Sequence, residues 1–142
     1  MPEITLAKAR TIIRKALTHG RAAGLKPLTV VVLDAGGHMI AAEREDGAAP
    51  GRVKLAEGKA HGSVLLGMAG TAQRERADAQ AYFITALNGL YGGKLVPVPG
   101  GVLVRDRRGR VIGAVGITGD TSENDAAAAQ AGIEAAGFVA EI

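Results

Sequence analysis

The stretch "LVPVPGGVLVRDRRGRVIGAVGITGD", residues 95–120, sets eight glycines and prolines among apolar residues of strand type, and its reading decides the fold. A phosphate-cradling loop needs a strand, a glycine-rich turn ending in Gly-Lys-Ser/Thr and then a helix, because backbone amides and the lysine must converge on one anion. No Gly-Lys-Ser/Thr occurs in the chain. Nor does "GAVGITG" open a helix, as a dinucleotide-binding Gly-x-Gly-x-x-Gly must. Gly113, Gly116 and Gly119 are three apart and so fall on alternate faces of a strand. The segment reads as sheet. Residues 102–105 and 110–117 are strands joined by "DRRG", with Gly109 at a left-handed turn position. The other glycines mark places where a second backbone or a flat ligand comes close.

Upstream, "LTVVVLDAGGHMIAAERED" repeats the pattern, with strands at 28–33 and 39–44 around adjacent glycines. The run 29–33 is continuously apolar, as in a strand covered on both faces, whereas its partner is more polar and belongs nearer an edge or cleft. Before it, Leu6, Ala9, Ile13, Ala16, Leu17 and Ala23 form one helical stripe, with Thr5 as cap and Gly24 as stop. Lys8, Arg10, Arg14, Lys15 and Arg21 occupy its solvated face. A second helix spans 53–68, although Gly58, Gly62 and Gly67 each cost about 1 kcal/mol relative to alanine in a helix interior. A third covers 77–89. The last runs from Ser122 to about Ala136, capped by Thr121 or Ser122, with Asp125 placed as in a capping box. The order is helix, two strands, two helices, three short strands, helix. Hairpins this tight exclude crossovers, so the sheet is antiparallel and the class α+β.

A chain of 142 residues buries enough surface to stand as one domain over 1–142. Apolar residues make up 47% and aromatics only 3%, so the core must be built of Ala, Val, Leu and Ile. The absence of cysteine excludes disulfides, thiolate metal sites and a cysteine nucleophile. The 17 basic and 14 acidic residues are scattered apart from "RDRRGR" at 105–110, and stacking aromatics are few, which argues against a nucleic-acid partner. The N-terminal "MPEITLAKARTIIRKALTHG" alternates charge with apolar residues, so neither a signal peptide nor a membrane span is expected and the address is cytoplasmic.

Four segments carry a family likeness. Together "VVLDAGGHMIAAEREDGA", "GKAH", "GGKLVPVPGGVLVRD" and "GRVIGAVGITGDTSENDAAAAQAG" resemble the GlcG/HbpS-like family of small haem-binding and haem-degrading proteins, which also occurs as the C-terminal module of some cobalamin adenosyltransferases. The likeness runs from about Leu6 to Gly137. It implies a profilin-like α+β fold, a five-stranded antiparallel sheet flanked by helices, assembled as a homo-oligomer. It also implies haem, or a similar small ligand, as the bound group, with haem degradation or iron handling as the activity. Two positions depart from the family pattern: "KAHGS" has Gly62 where a threonine is usual, and "GGVLV" has Leu103 where proline is common.

His38 follows the hairpin glycines, where an imidazole can ligate haem iron, carry a proton, or simply bond its own turn. His19, at a helix end that favours a cation, is the second candidate for the iron. Arg44 and Lys59 are candidates to pair with ligand carboxylates such as haem propionates, with Gly100 and Gly101 lining the pocket wall. His61 lies two residues from Lys59 and so on another helix face. Glu43, Glu45 and Asp46 form an acidic patch, a solvated turn or a weak cation site. Two other functions compete: a catabolic enzyme using His38 and Lys59 as acid and base on a carboxylate or oxo-acid, and an accessory module whose alanine-rich helices pack on another subunit.

Overall fold

Both expected hairpins form, and the same turn closes each. In the computed structural model, which describes residues 3–142, the chain runs α1 (Leu6–Ala22), β1 (Thr29–Asp34), β2 (Met39–Arg44), α2 (Arg52–Leu66), α3 (Gly70–Ala79), α4 (Ala81–Leu90), β3 (Gly101–Arg105), β4 (Val111–Thr118), α5 (Ser122–Ala135) and β5 (Val139–Glu141). Between β1 and β2 the Asp34 carboxylate accepts the N–H groups of Gly36 and His38 at 2.9 and 3.0 Å, while Gly37 takes φ +85°. Between β3 and β4 the Asp106 carboxylate accepts those of Arg108 and Arg110 at 2.9 and 3.0 Å, while Gly109 takes φ +81°. An aspartate that ties down its own following amides, with glycine at the left-handed position, fixes such a turn locally.

The strands form one antiparallel sheet in the order β2-β1-β4-β3-β5. Thr29 to Leu33 are buried, as a strand covered on both faces must be, and polar β2 lies at the edge. α1 and α5 pack together on one face over Val30, Val32, Val102, Val104, Val115 and Ile117. α2 covers the other, over Val31, Leu33, Leu103 and Ala114. The layered α+β architecture is the profilin-like one anticipated from the sequence.

Three elements differ from the pattern read in the sequence. Only two strands lie between α4 and α5, because residues 95–98 lie across α2 instead: Val96 packs where a Gly58 side chain would begin, at 2.7 Å, and Leu95 does so at Gly62, at 2.5 Å. The fifth strand is the C-terminal β5, paired to β3. The helix expected at 77–89 is two helices, broken at Gln80 (φ −144°, ψ 67°). There Arg76 donates to the Gln80 side chain and stacks 4.3 Å from the Phe83 ring centroid. Gly67, read as helix interior, is the left-handed C-cap of α2 at φ +63°.

Thr121 caps α5 by accepting the Asn124 N–H at 3.2 Å. Asp120 ties this cap to the loop before β1, accepting from the Asn124 side-chain amide at 2.7 Å, the Lys26 N–H at 2.9 Å and the Thr121 N–H at 2.9 Å. Those bonds, the Asn124 amide foremost, hold its carboxyl at about 2 against an ordinary 3.8. A carboxylate depressed in the folded state stabilises above its unfolded pKa, and that contribution disappears as pH falls through the folded value. Asp120→Asn is therefore expected to flatten the fall of the urea midpoint between about pH 4 and pH 2. A mutant profile parallel to wild type across that window would exclude Asp120 as the linked group.

Candidate functional site

The antiparallel register sets the sequence-derived candidates at opposite ends of the sheet. Arg44 pairs across Thr29, which pairs across Thr118, whereas Asp34 pairs across Gly113 and leads into the turn that carries His38. Lys59, Gly100 and Gly101 come together at the Thr118 end, and Arg44 lies at that end on the edge strand. His38 stands at the other. His19, in the last turn of α1, lies against the opposite face near the start of β1, where the next residue, Gly20, meets Leu28.

At the Thr118 end the Lys59 side chain is threaded into the core. It is 4% exposed, and its ammonium donates to the Ile117 carbonyl at 2.9 Å and to Asp125 Oδ2 at 3.2 Å. Asp125, 1% exposed, also accepts the Asp120 N–H at 3.0 Å, so it braces the entry to α5 from inside. Gly100 and Gly101 are what let the lysine through. A side chain on Gly100, which has φ +114°, would begin 2.8 Å from Lys59 Nζ, and one on Gly101 would overlap the Lys59 carbonyl. Burial pushes the Lys59 ammonium down in pKa, against the pull of Asp125, and pushes the Asp125 carboxyl up, against the Asp120 amide and Lys59. The arrangement is a strut joining α2, β4 and α5. Its amine is engaged on both sides, and it stands the length of β1 from His38, so the two do not share one acid-base site. Arg44 is exposed and borders an open groove of about 410 Å³ with Leu17, Glu43 and the Arg21–Glu45 ion pair.

At the other end His38 offers a ligand nitrogen. Its side chain is 82% exposed, and Nδ1 lies 3.4 Å from Asp34 Oδ1. Partial burial alone would push the Asp34 carboxyl up, but the amides of His38 and Gly36 hold it below its ordinary value, so it remains an anion beside the ring. A carboxylate beside Nδ1 is the usual second partner of a metal-bound histidine and leaves Nε2 as the free nitrogen. His61, from α2, comes to the same tip: its ring lies 3.3 Å from where a Gly37 side chain would begin, beside Leu65 at 3.4 Å. Its Nδ1 is held by the Lys94 carbonyl at 3.0 Å, and the edge of Tyr91 closes on it at 6.5 Å between centroids. His61 and Leu65 thus close on Gly37, while the His38 ring closes on the neighbouring Gly36, and Met39, the next residue, is exposed. The sequence placed His38 beside the turn but gave no sign that His61 and Lys94 converge there. Their approach depends on the 95–98 segment crossing α2.

A haem would suit this donor set. Among the described residues no three His, Cys, Asp or Glu side chains converge as a metal site, and a single oriented imidazole is the ligand required by an iron that brings four nitrogens of its own.

A sheet of this order, with helices on both faces and an oriented imidazole at a hairpin tip, defines a small α+β domain of the profilin-like class. The chain belongs to the family described as haem degrading protein HbpS-like, whose model matches residues 4–134. The fold is similar to that of the PduOC:haem complex, at 25% identity and TM-score 0.85 over 96% of this chain and 97% of that one. It is also similar to a double mutant of Streptomyces reticuli HbpS, at 25% identity and TM-score 0.81 over 94% and 87%. Klebsiella pneumoniae protein ORFY shares the fold at 23% identity and TM-score 0.80 over 96% and 93%. No curated protein matches the chain. No helix among the described residues is long and apolar enough to cross a membrane.

Proposed function

We propose that this chain, as one cytoplasmic domain over residues 1–142, binds haem or a small ligand of like chemistry, and that His38 would hold the iron through Nε2. The observation that carries the reading is the Asp34–His38 pair, an exposed imidazole beside a carboxylate, set against Gly36 at the hairpin tip. Membership of a haem-degrading family and likeness to a protein crystallised with haem support it. Bound haem would supply iron chemistry. The protein's own residues would turn Nε2 outward with Asp34 beside Nδ1, pack Met39 and Leu65 against an apolar face, and offer Lys94 to a propionate. Lys59, Gly100 and Gly101 would contribute as the wall that keeps α2, and with it His61, in place.

An imidazole this open needs a cover, and the fold presents one kind of surface for it. α4 carries no charged residue, buries only Ile84, and leaves Tyr82 and Leu90 each 72% exposed. A homo-oligomer that buries this helix is the assembly we expect.

Purified chain titrated with haemin should develop a shifted Soret band. His38→Ala should weaken the binding by at least about tenfold, or 1.4 kcal/mol, and His19→Ala should leave it unchanged. Equal binding by wild type and His38→Ala would remove His38 from the role, and a loss confined to His19→Ala would transfer it.

A further inference from the structure

The arginine run at 105–110 takes no part in the His38 site, yet the turn that holds it is rigid. Asp106 turns inward and spends its carboxylate on the N–H groups of Arg108 and Arg110 and on Arg110 Nε at 2.8 Å. Arg105 is held by Glu141 at 2.8 Å and by the Gly109 carbonyl at 2.6 Å. That leaves Arg107 and Arg108 exposed, with no ion pair among the described residues. They do not stand on open surface. With Arg110 they rim a groove of about 300 Å³ floored by Gly137 and Phe138. Gly137, at φ +89°, reverses the chain after α5 and presents Phe138, whose N–H is tied to the Ile133 carbonyl at 3.2 Å. Lys8, outside the groove lining, donates to the Ala136 carbonyl at 2.8 Å and stands 5.7 Å from the Phe138 ring centroid.

We propose that this groove binds a small phosphate monoester carrying an aromatic ring, its phosphoryl oxygens between Arg107 and Arg108 and its ring on Phe138. Guanidinium groups match phosphate bidentately, where a lysine offers only a point charge. Both Asp106 oxygens are engaged by the turn, so the aspartate does not compete with the anion for the arginines. The ring surface accounts for selectivity, since offset stacking on Phe138 and on guanidinium planes favours a flat apolar body over a bare ion. The volume lies at the lower end of ligand sites, enough for one ring and one phosphate and too little for a dinucleotide.

Calorimetric titration of the full chain at low salt with phenyl phosphate tests this. Saturable binding with a Kd below about 1 mM is expected, with inorganic phosphate at least about tenfold weaker. Arg107→Gln/Arg108→Gln should abolish both, and Phe138→Leu should bring phenyl phosphate down to the affinity of the bare ion. His38→Ala, which tests the haem reading, should leave phenyl phosphate binding intact, so the two proposals fail separately. No saturation by about 10 mM, equal affinity for inorganic phosphate, undiminished binding by the double arginine variant, or loss of binding in His38→Ala would each overturn the proposal. Should Phe138→Leu fail to fold, the arginine variant, on an exposed turn, still decides.

Discussion

Lys59→Met is expected to lower the unfolding free energy by roughly 3–5 kcal/mol, because it leaves the carboxylate of Asp125 inside the protein without its counter-charge. Solvent does not rescue it, since Asp125 is 1% exposed and lies between α2, β4 and α5. Asp125→Asn should destabilise in the same way from the opposite side, although the asparagine oxygen can still accept the Asp120 amide. The double variant Lys59→Met/Asp125→Asn removes both charges and keeps that acceptor. Its cost should fall short of the summed singles by about 0.5–3 kcal/mol, the range for groups in direct contact. Urea unfolding followed by circular dichroism measures all three. A pH series adds a sign: burial already pushes the Asp125 carboxyl up, and without lysine it rises further, so Lys59→Met should regain stability as pH falls through that raised value and the group becomes neutral. A Lys59→Met variant within about 1 kcal/mol of wild type would show that the strut is not holding the core.

Gly116→Val should be at least as damaging. Gly116 lies in the middle of β4 directly beneath α2, and a side chain there would overlap the Ala56 carbonyl oxygen and begin 2.9 Å from its carbon and 3.0 Å from the Ala60 nitrogen. These are backbone atoms, which no rotamer change can move aside. The helix would have to lift from the sheet, and with it the buried contacts of Ala56, Ala60, Leu33 and Leu103. A cost of at least about 3 kcal/mol follows, at the upper end for overpacking and enough to leave much of a marginal domain unfolded. Gly89→Ala makes the control. Gly89 is helical, meets nothing within 4 Å and has an ordinary φ, so alanine there should stabilise by about 0.5–1 kcal/mol. Comparable melting temperatures for wild type and Gly116→Val would mean that α2 does not sit on the sheet as described.

The hairpins were legible in the sequence because their information is local: Asp34 and Gly37, and Asp106 and Gly109, are within three residues of one another and make the turn themselves. Gly113 and Gly116 were also readable as points of close approach, but not what approaches. The reason α3 escaped notice is physical. It packs through Gly70 and Gln73, so no apolar stripe announces it. Likewise β5 has three residues and gains its place only from pairing with β3. The geometry of the candidate site was legible in part. The position of His38 after two glycines is a sequence fact, whereas its orientation by Asp34 depends on the turn closing. A lysine is expected outside, and nothing near Lys59 in the chain signals that the Gly100–Gly101 gap, some forty residues on, admits it to the interior. Gly62, the departure from the family's threonine, proves to be the seat of Leu95. The side-chain oxygen of Gln73, fully buried, points at the same spot and finds no donor there.

The outer rim of β2 leaves a row of peptide groups with no neighbouring strand, the kind of border on which chains stack into fibrils. Here Glu43, Arg44, Glu45 and Asp46 crowd its end, and the run is only six residues long. An incoming ribbon would meet both signs of charge in quick succession and have little length over which to recover the loss. Pairing along the ladder, which can grow without limit, is thereby disfavoured; in the proposed homo-oligomer, burying Tyr82 and Leu90 of the neutral helix α4 would satisfy that surface once and growth would stop.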